Sequence, residues 1–351
     1  MTGILDVLPT LRELIPLRGE GMARRAEVLV LVVLMAGCSS RAMRSKADAM
    51  VLLSFNAWSA YAVAAGWEKD YVREGLEDAK ELGVTHILVS QQNESLLFFH
   101  EIREAGLKAV IGFSPMSARN GTWTGSQLWR LPVYVEGLRA WGVLDVVDAV
   151  YFDDHWNDLQ GDVHFLRARI RTLIPGIKII ASPTSGATFS YANTLRQPFP
   201  DVILLYGYVG FSADAAGHRK SHERLREEFR KVVAEAVRIR KEKGIRTGIW
   251  LQTFGYWGKE DPLPGRGAEK KVRTYHYWFD PGEYAWQLGQ MKEAGLTDCV
   301  ALFDALSWAA KDDKWGSLWD QHQVRRRKSF RRARREPWWS ELRKALEQYS
   351  R

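Results

Sequence analysis

Val147–Asp158 reads VDAVYFDDHWND. Its first half, with Val147, Ala149, Val150, Tyr151 and Phe152, is a short run of β-branched and aromatic residues, the composition of a strand buried on both faces. Asp153, Asp154, His155, Trp156, Asn157 and Asp158 then follow without interruption. Acids, an imidazole and an indole are thus delivered at the carboxyl end of a hydrophobic strand. In α/β proteins those ends open onto a crevice framed by the connecting loops, and binding groups collect there.

Working outward from this stretch, short apolar runs alternate with segments of helical spacing. Strands are predicted at Met50–Phe55, His86–Ser90, Lys108–Phe113, Ile177–Ala181, Val202–Tyr206, Ile249–Phe254 and Asp298–Phe303, with the opening stretch as the fourth in order. Helices are predicted at 67–82, 94–105, 131–141, 163–174, 191–195, 214–243 and 281–294. The longest of these carries Leu225, Phe229, Val232, Val233, Ala236 and Val237 on one face, so its many charges belong to the solvated side. Gly83, Gly106, Gly176 and Gly295 precede strands and fit helix-ending turns. Eight strands alternating with seven helices predict a (β/α)8 TIM barrel over residues 50–318. An open doubly wound sheet usually carries a glycine-rich phosphate loop after its first strand. No G-x-G-x-x-G or G-x-x-x-x-G-K follows any strand here, which argues against nucleotide chemistry, and no cofactor is expected.

In such a barrel the eight strand ends converge. The first delivers Asn56 and Trp58; the second delivers Gln91, Gln92, Asn93 and Glu94. Ser114 and Met116 follow the third, with Trp123 and Trp129 beyond. His155 and Trp156 follow the fourth, Ser182 and Thr184 the fifth, Tyr206 and Tyr208 the sixth. The seventh offers Gln252, Tyr256 and Trp257, and the eighth Asp304, Ser307 and Trp308. This rim holds amides, hydroxyls, carboxylates and aromatic rings with hardly any Lys or Arg. Sugars present C–H faces that stack on Trp and Tyr, and hydroxyls that need paired donors and acceptors. The rim therefore suits a carbohydrate better than a phosphate.

VDAVYFDDHW resembles the fourth strand of chitinase-like and related glycoside hydrolases, whose pattern runs D-G-[apolar]-x-[apolar]-D. The resemblance sets Asp148 on the first acid and Asp153 on the inward one at the strand tip. TGIWLQTF (247–254) and DPGEYAWQLGQMKEAGLTDCVALFD (280–304) resemble the seventh strand and the last helix and strand of such barrels. The chain departs from chitinases two residues beyond Asp153, where His155 stands in place of their acid glutamate. Glycoside hydrolysis needs two carboxyl groups about 5–10 Å apart, one protonated and one ionised. Adjacent strand residues point to opposite faces, so Asp153 and Asp154 do not both serve. The expected pair is Asp153 with Asp304, with Asp154 or Glu94 in reserve and His155 bonding a sugar hydroxyl or tuning the neighbouring acid. Asp153 capping its loop, with Asp304 in an ion pair, is the structural alternative. A metal site at Asp153, Asp154, His155 and His164 is disfavoured, because contiguous residues diverge and no H-x-H or H-E-x-x-H spacing occurs. A non-catalytic carbohydrate-binding barrel is the second functional reading.

Residues 22–40 read MARRAEVLVLVVLMAGCSS. Arg24 and Arg25, the apolar run 28–35 and the small Ala36-Gly37 before Cys38 resemble a bacterial lipoprotein signal, with lipid carried by the Cys38 thiol. That resemblance implies a lipid-anchored protein of the cell envelope. The apolar run is about half the roughly 20 residues that cross a bilayer. On this reading residues 1–21 lie upstream of the true start at Met22, 22–38 are the signal and 39–49 a linker. Cys299 is then the remaining cysteine, a buried small apolar residue of the last strand.

The 15 tryptophans fit either a sugar-stacking surface or a Trp-rich core. The net charge of +8 is concentrated in Arg325, Arg326, Arg327, Lys328, Arg331, Arg332, Arg334 and Arg335, so a general basic groove is not indicated and nucleic acid is not expected as a partner. Residues 319–351 read as a basic, aromatic extension that ends in Pro337-Trp338-Trp339 and a helical segment with Leu342 and Leu346, either solvated or lying near anionic lipid headgroups. Nothing in the sequence marks an oligomeric state.

Overall fold

The computed structural model describes residues 49–55, 69–90, 96–113, 126–152, 163–183, 188–207, 221–253, 255–256, 281–304, 315–316 and 336–350. The chain divides into two units, Met1–Asp48 and Ala49–Arg351, and every described residue belongs to the second.

The strands are β1 (Met50–Phe55), β2 (His86–Ser90), β3 (Lys108–Phe113), β4 (Val147–Phe152), β5 (Lys178–Ala181), β6 (Val202–Tyr206), β7 (Arg246–Gln252), β8 (Gly255–Tyr256), β9 (Cys299–Asp304) and β10 (Trp315–Gly316). The helices are α1 (Lys69–Glu81), α2 (Leu96–Glu104), α3 (Ser126–Ala140), α4 (Val163–Leu173), α5 (Tyr191–Thr194), α6 (His222–Lys243), α7 (Pro281–Glu293) and α8 (Glu336–Ser350). β1 to β7 and β9 pair in parallel and in order, and β9 pairs back onto β1 to close the ring. The protein is a (β/α)8 TIM barrel, as expected. β8 and β10 form a separate antiparallel pair.

Why these residues make a closed barrel follows from their alternation. Met50, Leu52, Leu88, Val110, Ala149, Tyr151, Ile180, Leu204, Trp250, Cys299 and Ala301 fill the interior. The intervening residues, among them Val51, Leu53, Ile87, Val150, Ile179, Ile203, Leu251 and Leu302, pack outward against the helices. With both faces buried, the strands read as continuous apolar runs. Cys299 is buried as expected, and desolvation pushes its thiol up to about 12.

Three elements start three or more residues from expectation. α6 begins at His222, with Ser221 as its N-cap, rather than at 214. β7 begins at Arg246 rather than Ile249, because Arg246, Thr247 and Gly248 pair with Val202, Ile203 and Leu204. α3 begins at Ser126 and runs through Pro132.

The boundary placed at residue 318 falls short of the barrel's outer layer. α8 lies in the stretch read as an extension, yet Trp339, Leu342, Ala345, Leu346 and Tyr349 are buried in the core beside α7. The Tyr349 hydroxyl donates to the carbonyls of Leu296 and Cys299 at the entry to β9. It is the eighth helix of the ring.

At the amino-terminal face of the barrel, basic side chains fasten each helix to the next. Lys80 of α1 donates to Ala105 O at 2.8 Å, and Arg103 of α2 to Gly142 O. Arg139 of α3 reaches Leu173 O at 3.1 Å, and Arg167 of α4 reaches Phe199 O at 2.7 Å. Arg240 of α6 donates to Gly295 O, and Lys292 of α7 to Gln348 O at 2.6 Å. Arg343 of α8 closes the circuit on Glu81 of α1 at 3.0 Å. Between α5 and α6 the link runs backward, from Arg238 to Asn193 Oδ1 at 2.7 Å. Helix carboxyl ends hold carbonyls without intrahelical partners, and a cation from the neighbour satisfies them while complementing the dipole.

Candidate functional site

Position 153 follows directly on Phe152, the last residue of β4. The residues expected at the rim as Asn56, Trp58, Gln91, Asn93, Glu94, Asp153, Asp154, His155, Trp156, Tyr208, Trp257 and Trp308, together with Cys38, lie outside the described residues. Three more are placed by their backbone. Gln252 ends β7 beside Phe303. Tyr256 sits in β8 opposite Trp315, off the barrel wall. Asp304 ends β9 opposite Phe55 of β1.

Cys299 and Ala301 of β9 and Ala149 and Tyr151 of β4 belong to the interior cluster, and Val300 and Leu302 to the outer one.

Beneath those strand ends the described side chains form a closed polar cluster. Ser182 is fully buried just past β5, and its backbone N–H donates to Phe152 O at 3.1 Å, extending the β4–β5 ladder by one step. Its hydroxyl accepts from the Tyr151 hydroxyl at 2.8 Å and from the Trp250 indole N–H at 3.1 Å. The Tyr151 and Trp250 rings meet edge to face, with centroids 5.6 Å apart. Tyr206 packs against the same cluster, half-buried, and Ser54 is buried at the end of β1. Among the described residues, no Lys or Arg stands at this carboxyl end of the interior. Tyr151 and Trp250 were legible as apolar strand residues. What the sequence could not supply was the cross-barrel contact joining them to Ser182.

Asp148, the first acid of the resemblance pattern, is placed elsewhere. Its Oδ2 lies 2.8 Å from Lys178 Nζ and 3.1 Å from His86 Nε2, at the amino-terminal end of the barrel. The register explains the aim: Ala109 pairs with Val147 and Val110 with Ala149, so Asp148 is the extra residue of a bulge. The His86 hydrogen bond, followed by the Lys178 ammonium, holds its carboxyl well below the usual carboxylate range against the opposing effect of burial. His86 is in turn held by Thr85 Oγ1 at 2.7 Å, and Thr85 accepts from Val51 N–H at 2.9 Å. This network plugs the end opposite the strand tips. Among the described residues, no group of three His, Cys, Asp or Glu could hold a metal ion.

Comparison with solved structures places this arrangement among known barrels. The Clostridial cellulose synthase subunit Z from Clostridioides difficile superposes with a TM-score of 0.53 at 9% identity, covering 84% of this chain and 99% of its own. The fold they share is the (β/α)8 TIM barrel. Cel5A from Thermotoga maritima, solved with mannotriose, matches such a barrel with a TM-score of 0.50 at 13% identity over 85% of this chain and 98% of its own. A glycoside hydrolase-like protein gives 0.50 at 12% identity over 73% and 83%. Identities this low carry the likeness of fold. No family model and no curated protein matches the chain.

Proposed function

We propose that the protein binds an oligo- or polysaccharide at the carboxyl-terminal face of its barrel and hydrolyses a glycosidic bond there. The observation that carries this reading is the floor of Tyr151, Ser182, Trp250 and Tyr206 at the carboxyl end of the interior, where no Lys or Arg stands among the described residues. Aromatic faces and hydroxyls suit a sugar, and Asp153, the residue that follows β4 in the chain, is proposed as one member of the acid pair. Asp304 at the end of β9, Asp154 and Glu94 are the candidates for the other. Asn56, Trp58, Gln91, Asn93, His155, Trp156, Tyr208, Gln252, Tyr256, Trp257 and Trp308 are proposed to line the surrounding cleft.

A second reading is a carbohydrate-binding barrel without a working acid pair, since His155 stands where chitinases carry their acid glutamate. One experiment separates the two. The protein is screened against a glycan panel for both binding and release of reducing ends, alongside Asp153→Asn and Asp304→Asn. Hydrolysis that falls at least about 1000-fold in Asp153→Asn, with binding retained, supports the enzyme. Binding without release supports the second reading.

We also propose that the chain is carried on the bacterial cell envelope by lipid on Cys38. Among the described residues, no helix is long and apolar enough to cross a membrane. Mass spectrometry of the mature amino terminus tests this, with a diacylated Cys38 as the expected species; an unmodified Cys38 contradicts it.

A further inference from the structure

Among the described residues three large hydrophobic side chains are exposed, and two of them stand on α3: Val133 at 76% and, just past its end, Trp141 at 65%. A single exposed apolar residue is ordinary on a protein surface, whereas a contiguous apolar strip marks an interaction surface. Helical spacing makes these two part of a strip. Val133, Gly137, Ala140 and Trp141 fall at i, i+4, i+7 and i+8, so they share one face over about 12 Å of helix. Val135 and Leu138, fully buried, hold the opposite face on the core. Ala140 is exposed, and a Cβ added at Gly137 would meet nothing within 4 Å, so the middle of the strip lies open.

The charges beside the strip select its occupant. Glu136 and Arg139, both exposed, lie along one flank and pair with each other. Arg139 also donates to Leu173 O, and its five N–H donors exceed what these bonds use. Val133 and Trp141 stand four residues to either side of Gly137, with Glu136 before it and Arg139 after it. A second α3 turned end for end about Gly137 therefore matches the first. Val133 meets Trp141 of the second copy, Glu136 meets its Arg139, and the two-fold axis repeats each contact. Charged residues that flank an apolar helix seam set partner and orientation in this way. A lipid surface is a poorer occupant, because Glu136 would face anionic headgroups. We propose that the outer face of α3 is a homodimer seam, in which the α3 helices of two copies of this chain pack antiparallel across a two-fold axis at Gly137.

The seam stands apart from the carbohydrate reading, on the outer wall of the barrel and not at its strand ends. It is also short. Interfaces that bury less than about 1,200 Å² belong to transient partners, so the dimer is a weak one that forms at high local concentration.

Association and register are tested on the full chain in a Cys38→Ser background, which leaves only the buried Cys299. Sedimentation velocity should show a monomer–dimer equilibrium at about 100 µM, weakened at least about tenfold by Val133→Asp or Trp141→Ser. Under mild oxidation Gly137→Cys should cross-link to itself, because its two thiols meet on the axis. Val133→Cys should not link to itself, but should link to Trp141→Cys when the two are mixed. Charge gives a second check: Glu136→Arg and Arg139→Glu should each stay monomeric alone and dimerise when mixed. Thermal unfolding confirms that each variant is folded, and the open space at Gly137 admits its thiol without disturbing the barrel. A chain with α3 unaltered that stays monomeric at that concentration overturns the proposal, even if the strip then takes a lipid vesicle or another protein. Association that the folded Val133→Asp and Trp141→Ser chains keep unchanged overturns it too, as does self-linking at 133 in place of 137.

Discussion

Asp148 shows how one extra residue in a strand decides what an acid does. The bulge turns it toward His86 and Lys178, and its carboxyl is lowered by both. A depressed native value contributes stability that is present above the unfolded value of about 3.9 and lost as pH falls through the lower native one. Asp148→Asn is therefore expected to lower stability at pH 7 by about 1–3 kcal/mol, since it weakens two charge-assisted bonds at a partly buried site. The difference from wild type should narrow progressively as pH drops below about 5. Urea unfolding at several pH values measures it; a difference that grows toward acid contradicts the assignment. In the sequence, Asp148 fitted the first acid of a known pattern, five residues before Asp153. The bulge was invisible there, because it depends on the register between β3 and β4 and not on any local preference of the residues.

At the scale of elements, the strands were the most legible part. Inner and outer residues of the wall are both apolar, so each strand is a compact run ending where polar residues begin. Its limits were set by pairing instead: Arg246 and Thr247 are strand residues only because β6 lies alongside. Gly248 marks the tightest place in that wall. A Cβ added there would lie 2.4 Å from Cys299 O and 2.9 Å from Leu204 Cδ2, the first a backbone atom of the next strand that cannot swing away. Gly248→Ala should cost about 1–3 kcal/mol or more by forcing β7 and β9 apart, read as a lowered urea midpoint. The helix at α8 was legible, but its place in the ring was not. The arginine-rich run before it dominates the composition of the tail, while Trp339, Leu342, Leu346 and Tyr349 fall on one helical face that only the assembled barrel covers. Tyr349→Phe removes a hydroxyl bonded to two carbonyls and should destabilise by about 1–3 kcal/mol. Arg343→Ala, which breaks an exposed ion pair, should cost under about 1 kcal/mol. Thermal unfolding of the two variants side by side checks that order.

At the scale of the molecule, the two ends of the barrel are built from different chemistry. The amino-terminal end is a charged plug around Asp148, ringed by cations that hold helix carbonyls. The carboxyl-terminal end of the interior carries no Lys or Arg among the described residues and is lined by hydroxyls and rings. The plan was readable because alternating elements leave few ways to bury two apolar faces. The proposed acid pair was less so, because residues on different strands become partners only after closure. The division of labour implies that stability and ligand handling separate. Asp148→Asn should leave glycan affinity within about twofold at neutral pH, whereas Trp250→Leu should weaken it at least about tenfold; isothermal titration with a responsive glycan compares them.

The head-to-tail fastening of the helices also limits how the protein can be handled. Because Arg343 grips α1 and Tyr349 seals the approach to β9, Glu336–Ser350 is a closing stave and not a trailing end. A version trimmed at residue 335 on the strength of its arginine-rich composition would leave the faces of α7 and β9 bare, and it should aggregate on expression. Cuts or tags are better placed before Ala49.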